Sequence, residues 1–187
     1  MAQTIDLEAF DALCATPVDD DGANYQWRLA MRPTGNVQSS DFALTKEAIP
    51  QISAGEVLLR TLYLNLAPVM RMYMAGTART GEAALEIGDV IHGRGVAQII
   101  QSRHPDWREG EIVQGQIGWQ TYKASKMTPP EKFFRMPSNG LPAGLGVGAL
   151  GMTGLSAHAA FFECGRPRRD DRMVLSGAAG GVGSLVT

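Results

Sequence analysis

Short apolar runs, divided by Gly, Pro, Asn and Asp, dominate the chain from residue 25 to about residue 140. Each run has the length of a strand, and they lie at 27–31, 42–44, 57–66, 96–102 and 112–113. The run at 57–66 is apolar enough for a strand that is partly buried on both faces. Short strands at this spacing predict a small, strongly bent β-barrel.

The first 24 residues have a different pattern. Ile5, Leu7, Phe10 and Leu13 are spaced for a short helix, and 19–22 (Asp-Asp-Asp-Gly) is typical of a solvated linker. We interpret residues 1–24 as an N-terminal extension, with a disordered tail as the alternative.

The pattern changes again after Gly140, where glycines crowd the segment 144–154. Residues 155–164 predict a helix that Pro167 ends. Residues 173–175 (Met-Val-Leu) predict a buried strand that leads directly into a glycine loop.

The loop spans 176–184, Ser-Gly-Ala-Ala-Gly-Gly-Val-Gly-Ser. Aligned on the dinucleotide-binding fingerprint, Ala178, Gly180 and Gly183 take its three glycine positions. Gly180 allows the backbone to approach a pyrophosphate, and Gly183 allows the following helix to pack closely on its strand. A purely structural turn is the alternative. The residue that reads the ribose in this motif falls about 20 positions later, so the loop does not distinguish NAD from NADP.

Bulk composition narrows the classes of function. The formal net charge is −2 and 19% of residues are charged, so charge favours neither nucleic acid nor a membrane surface as partner. No apolar run has the length of a membrane span. Cys14 and Cys164 form no disulfide framework, and we expect a cytoplasmic protein.

A zinc site is not expected. Catalytic zinc needs three converging ligands, and structural zinc usually needs four. Cys14 and Cys164 are far apart, and His92, His104 and His158 lack a partner at ligand spacing. We interpret the three histidines as surface or capping residues.

Taken together, several segments resemble one family. These segments are 26–30, 32–35, 41–42, 62–66, 93–96, 107–115, 118–122, 151–157 and 176–184. They resemble the zinc-independent medium-chain dehydrogenases/reductases of the leukotriene hydroxydehydrogenase, prostaglandin reductase and alkenal double-bond reductase type. They also resemble the bacterial curcumin-reducing enzymes of this family.

The resemblance implies a mainly β GroES-like barrel followed by the first βα unit of a Rossmann domain. Residues 25–140 would form the GroES-like catalytic domain, and 141–187 the linker helix and the start of the NADP-binding domain. It also implies NADPH-dependent reduction of the C=C bond of a small enone or enal. The residues that it implies near the cofactor are Met152 and Ser156 beside the nicotinamide, and Gly180, Gly181, Val182, Gly183 and Ser184 around the pyrophosphate.

Two departures from the family leave alternatives open. Val69 occupies the position of a tyrosine that lies near the substrate in the family. Tyr63 and Tyr122 are alternative proton donors but better explained as packed aromatics, so the sequence assigns no catalytic residue.

The second departure is length, because family members are close to twice as long. We therefore expect the 187-residue chain alone to be inactive. A non-catalytic GroES-like binding domain with an incomplete cofactor site is the alternative function. The family is often dimeric, so a homodimer is a further expectation.

Overall fold

The apolar run at 57–64 forms a strand that pairs along its length with the strand at 94–102. The computed structural model describes residues 21–77, 83–129, 131–137 and 140–187. Its strands are β1 (Ala23–Leu29), β2 (Phe42–Ala48), β3 (Val57–Leu64), β4 (Arg94–Ser102), β5 (Ile112–Gln116), β6 (Tyr122–Ser125) and β7 (Phe134–Arg135). All the strand pairs are antiparallel. Each predicted run overlaps one of β1 to β5, so the mostly β prediction for this region is confirmed.

The strands form two sheets. One contains β1 and β2, and the other has the order β6-β3-β4-β5-β7. Isolated bridges pair β1 with two residues that lie outside the strands of the second sheet, Gln26 with Gln120 and Arg28 with Val90. The predicted barrel is therefore not closed among the described residues, because no ladder there connects the two sheets.

The five-stranded sheet buries side chains on both faces of β3. Val57 and Leu59 pack with Ile99 and Val113 on one face, and all four are fully buried. Leu58, on the opposite face, packs with Ile52 and Tyr122. Successive strand residues point to opposite faces, so the partial burial of both faces that the sequence predicts is confirmed.

A third cluster of buried residues lies under the two-stranded sheet. Leu29 packs there with Leu85, Ile91 and a short helix, α1 (Met70–Met74), which the sequence analysis did not predict. Trp119 stacks on Phe42 at the edge of this cluster, with ring centroids 5.8 Å apart. The cluster fixes α1 against the end of the sheet.

The short helix predicted around Ile5 to Leu13 lies outside the described residues. The predicted solvated linker extends to Asp21 and Gly22, and the structure shows both residues exposed. The Asp21 carboxylate accepts hydrogen bonds from Lys46 Nζ and Tyr25 Oη, each at 2.6 Å. These bonds hold the pKa of Asp21 below its usual value, and the strand begins directly after Gly22.

The segment after residue 140 is helical in part. A 3₁₀ turn at Ala143–Val147 precedes α2 (Met152–His158), which continues as a π-helix at Ala159–Gly165. Arg166 then adopts a left-handed conformation (φ 46°) before Pro167. The prediction of a helix that ends before Pro167 is confirmed, although α2 begins three residues earlier than expected.

The predicted strand at 173–175 is wrong. These residues form no strand, and Val174 is 97% exposed. A strand needs a neighbour for its backbone N–H and C=O groups, and no other described segment pairs with it. A 3₁₀ turn at Gly183–Leu185 follows the glycine loop, so the βα unit of a Rossmann fold is not formed here. None of the helices in the described ranges is both long and apolar enough to cross a membrane.

Gly95 should be needed for the pairing of β3 with β4. The register shifts between Thr61 and Tyr63, and such a bulge bends the strand. A Cβ atom on Gly95 would overlap the Tyr63 carbonyl oxygen. We expect Gly95→Ala to lower the free energy of unfolding by about 1–3 kcal/mol, the usual effect of overpacking, in urea denaturation.

Gly144→Ala is the matched control. A Cβ there would meet the Tyr63 ring at 3.5 Å, an ordinary contact, so its effect should stay within about 0.5 kcal/mol. Equal effects of the two variants would contradict this account of the bulge.

Candidate functional site

A cleft of about 400 Å³ lies where the ends of β3, β4 and β5 meet α2. Its walls come from the loop after β3, from α1, from the entry to β4, from the last residue of β5, from α2 and from the glycine loop. The lining residues are Asn65, Ala67, Val69, Met70, Tyr73, His92, Gly93, Arg94, Gln116, Lys132, Met152, Thr153, Ser156 and Val182. A concave, largely apolar space with a few polar groups is typical of a small-molecule site.

The sheet side of the cleft is firmly held. The Asn65 N–H donates to the Arg94 carbonyl oxygen at 2.8 Å, which extends the ladder between β3 and β4 by one bond. Tyr73 is 3% exposed and meets the His92 ring edge to face, with centroids 5.5 Å apart. His92 Nε2 lies 3.0 Å from the Ala83 carbonyl oxygen. The backbone and the aromatic pair therefore fix this wall.

The charges along the cleft are of one sign. Arg94 and Lys132 line it, and no Asp or Glu side chain from the described ranges does. Such a lining favours a ligand that carries negative charge or hydrogen-bond acceptors.

The opposite wall is α2 and the coil before it. Gly151 and Gly154 pack so closely on the preceding turns that a Cβ on either would overlap a backbone carbonyl oxygen. This close approach explains the crowding of glycines at 144–154. Ser156 Oγ donates to the Met152 carbonyl oxygen at 2.8 Å. Its hydroxyl proton is therefore used within the helix, and towards a ligand Ser156 acts as an acceptor.

The glycine loop folds back on itself beside α2. Gly177 is left-handed (φ 66°), and a Cβ on Gly183 would overlap the Gly177 carbonyl oxygen. The sequence analysis gave the tight first position to Ala178, but the structure puts the conformation that requires glycine at Gly177. A Cβ on Gly181 would lie 3.3 Å from Thr153 Cγ2, so the loop packs directly on α2.

The structure brings three of the candidate cofactor residues into the cleft, namely Met152, Ser156 and Val182. Gly180 and Gly183 border a neighbouring hollow of about 310 Å³, and Val182 borders both spaces. Gly181 contacts α2, whereas the Ser184 hydroxyl donates to the Gly181 carbonyl oxygen at 3.2 Å. The N–H groups of Gly181 and Val182 donate to no acceptor within the described ranges.

Several cleft residues were not found from the sequence. Tyr73, Arg94, Gln116 and Lys132 are far apart along the chain and share no motif. Tyr63 and Tyr122 do not line the cleft, since Tyr122 is buried in the core and Tyr63 packs beside Gly144. The interpretation as a packed aromatic is confirmed for Tyr122, whereas Tyr63 is 48% exposed.

The three histidines occupy different positions in the structure. His104 caps a turn through a hydrogen bond from the Asp106 N–H, and His158 is exposed, as expected for capping and surface residues. His92 is half-buried in the cleft wall, and its ring nitrogen pairs with a backbone carbonyl oxygen as a capping residue would. No cluster of three metal-ligating side chains occurs within the ranges that the structure describes.

Comparison with known proteins places this architecture in a family. Residues 25–133 match the family described as the N-terminal domain of oxidoreductase. NADPH-dependent curcumin reductase from Escherichia coli is 34% identical over 163 residues, which cover 87% of this chain and 46% of that protein. The chain belongs to the medium-chain dehydrogenase/reductase family.

Other members of the medium-chain family are similar over the same span. The NADP⁺-dependent 2-alkenal reductase of Nicotiana tabacum is 32% identical over 168 residues, 88% of this chain and 48% of that protein. The crystal structure of CurA in complex with NADPH from Vibrio vulnificus superposes with a TM-score of 0.75 at 34% identity, over 87% of this chain and 47% of that one. The chain spans about half the length of the relatives that it matches.

Proposed function

We propose that the protein carrying this chain uses NADPH to reduce the C=C bond of α,β-unsaturated aldehydes and ketones. The observation that carries the proposal is the meeting of α2 with the glycine loop at one cleft, where Met152, Ser156 and Val182 share a wall. The similarity to curcumin reductase and to 2-alkenal reductase supports this reaction.

The residues of the loop suit a dinucleotide. The free N–H groups of Gly181 and Val182 are donors of the kind that bind pyrophosphate, and the absence of side chains at Gly180 and Gly181 leaves the backbone accessible. Ser156 would accept a hydrogen bond from the carboxamide of the nicotinamide, beside Met152. Arg94 and Lys132 add positive charge to the same cleft. When bound, NADPH would supply the hydride for the β-carbon of the substrate, and the proton for the α-carbon would come from solvent.

The domain assignment follows from this proposal. The extension ends at residue 22, two residues earlier than the sequence suggests, because β1 begins at Ala23; the GroES-like catalytic domain then reaches residue 140, and 141–187 are the linker helix and the start of an NADP-binding Rossmann domain. We expect the 187-residue chain alone to bind NADPH weakly and to reduce no enone, because Val174 and its neighbours have no strand to pair with.

A non-catalytic binding domain is the second candidate, and the exposed, unpaired segment at 173–175 favours it. It retains the cleft as a binding site for a small ligand without hydride transfer. The two candidates differ in whether the native protein consumes NADPH when an enone is present.

The activity test follows NADPH absorbance in the native protein with 3-penten-2-one as substrate. We expect oxidation of NADPH together with a product that keeps the carbonyl and lacks the C=C bond, as identified by mass spectrometry and NMR. The saturated ketone is the control and should give no oxidation. Absence of reduction of every enone and enal tried, alongside tight binding of small ketones, would support the binding domain instead.

Val69 offers a separate test of the cleft as the substrate site. It lines the cleft and is 37% exposed, so Val69→Tyr adds a phenolic donor there. The matched control Val69→Phe adds the ring without the hydroxyl. We expect kcat/KM for 3-penten-2-one to be about two- to tenfold higher in the tyrosine variant than in the phenylalanine variant, the effect of one hydrogen bond to the carbonyl. Equal values would argue against a carbonyl bound near residue 69.

Gly180 tests the loop as the pyrophosphate site. In Gly180→Asp a carboxylate would lie beside the loop N–H groups and repel the phosphates. We expect NADPH affinity to fall roughly 10- to 100-fold, as for the loss of one or more hydrogen bonds to a charged group, measured by fluorescence titration of the native protein.

Two controls separate the causes of that loss. Gly180→Ala adds only a Cβ, 3.2 Å from the Gly177 carbonyl oxygen. It should lower the NADPH affinity less than Gly180→Asp does. Gln101→Glu adds a negative charge at an exposed position of β4. It should leave the NADPH affinity unchanged. Unchanged affinity in Gly180→Asp would remove the loop from the cofactor site.

A further inference from the structure

One face of the two-stranded sheet is only partly covered by the core. The cross-strand pairs on this face are Tyr25 with Lys46, Trp27 with Leu44 and Leu29 with Phe42. Leu29, at one end, is fully buried, whereas Trp27 is 42% and Leu44 52% exposed. Trp27 also meets Phe42 edge to face, with ring centroids 6.2 Å apart. Trp27 and Leu44 therefore form an open apolar patch that continues the buried cluster outwards.

The chain that enters β1 is held on this same face. The Asp21 carboxylate accepts hydrogen bonds from Lys46 Nζ and Tyr25 Oη, each at 2.6 Å. Lys46 and Tyr25 are the next pair along the face from the open patch. The opposite face of β1 carries the polar residues Asn24, Gln26 and Arg28. The segment before Asp21 is therefore connected to the sheet on the side of the open patch.

Residues 1–20 contain an apolar segment that suits this patch. Leu7, Phe10 and Cys14 are spaced at i, i+3 and i+7, which places them on one face if the predicted helix extends to residue 14. Residues 15–20, between Cys14 and Asp21, span at most about 20 Å when extended. The open patch lies two strand positions, about 7 Å, from the residues that hold Asp21. The connection is therefore long enough for the segment to turn back onto the patch.

A segment of the same chain has an advantage over a separate partner at this patch. The connection gives it a high effective concentration beside the sheet, whereas a separate molecule must also offset its loss of translational and rotational freedom. Burial of a few apolar side chains is then enough to favour the docked state.

We propose that residues 7–14 dock as a helix on the open patch, with Leu7 and Phe10 packed against Trp27 and Leu44. This face of the two-stranded sheet is thus an interaction surface for the N-terminal extension of the same chain. The extension completes the burial of an apolar face that the core covers at one end only. The proposal does not depend on the proposed reductase function.

Cross-linking from Cys14 tests the docking in the native protein. Cys164→Ser removes the second cysteine of the chain, and Leu44→Cys places a thiol on the open patch. Glu47→Cys is the matched control, because Glu47 is exposed on the opposite face of the same strand. A short bismaleimide should link Cys14 to the first position at least about fivefold faster than to the second, because docking raises the effective concentration of Cys14 at one face only. Mass spectrometry of the digested protein identifies the linked peptides.

Two serine substitutions test the packing of the helix. Phe10→Ser removes the largest apolar side chain of the segment and should lower the rate at Leu44→Cys to that at Glu47→Cys. Ala12→Ser changes a position on the opposite side of the predicted helix and should retain the difference. Thermal unfolding monitors the fold of each variant. Ala48→Cys, exposed on the same face as Leu44, carries the test if Leu44→Cys does not fold.

Three outcomes would overturn the proposal. Equal rates at the two faces would show that the extension is not docked on either. A link at Leu44→Cys that joins two molecules and is lost on dilution would assign the patch to a second copy of the chain. A face-selective link that survives in Phe10→Ser would show that the Asp21 contacts alone, rather than helix packing, position Cys14.

Discussion

The antiparallel pairing of β3 with β4 determines where the site lies. This ladder carries the buried side chains of the five-stranded sheet, including Leu59 and Ile99. Antiparallel pairing places the end of β3 beside the start of β4, so the hydrogen bond from Asn65 to Arg94 closes the ladder at the edge of the cleft. The loop into α1 and the segment of His92 and Gly93 leave the sheet from this same edge. A change of register here would move every group on that wall.

Besides adopting positive φ angles in turns, several glycines allow two segments of the chain to pack closely together. Gly93 lies on the Trp119 ring, Gly95 on the Tyr63 carbonyl oxygen and Gly183 on the Gly177 carbonyl oxygen. Each contact brings two segments nearer than a Cβ would allow. The high glycine content of the chain therefore reflects the packing around the site as well as its turns.

The sequence predicted local features better than the relations between distant segments. The strands at 57–64 and 94–102 and the helix before Pro167 follow from apolar runs and helix-ending residues. The α1 helix was missed because Met70–Met74 is only five residues long and follows Pro68. The strand at 173–175 was predicted from an apolar run that is indeed of strand composition, but a strand also requires a partner, which no local pattern reveals.

The same distinction applies to the site. Met152, Ser156 and Val182 were predicted from the resemblance to the family, and they lie in the cleft together. Tyr73, His92 and Gln116 were not, because they meet only through the pairing of strands. A half-buried His with an aromatic neighbour has no signature in a single sequence.

The two walls of the cleft are held by different kinds of contact. Substitutions in one wall should therefore affect mainly the free energy of unfolding, and substitutions in the other mainly ligand binding. The sheet wall is joined to fully buried residues by long-range backbone hydrogen bonds, so substitutions there act first on the free energy of unfolding. In the loop wall the backbone bonds are local, such as that from the Gly180 N–H to the Gly177 carbonyl oxygen, and Val182 is 41% exposed. A local turn with little buried surface contributes little to global stability. Substitutions in the loop should therefore change what the cleft binds before they change whether the protein folds.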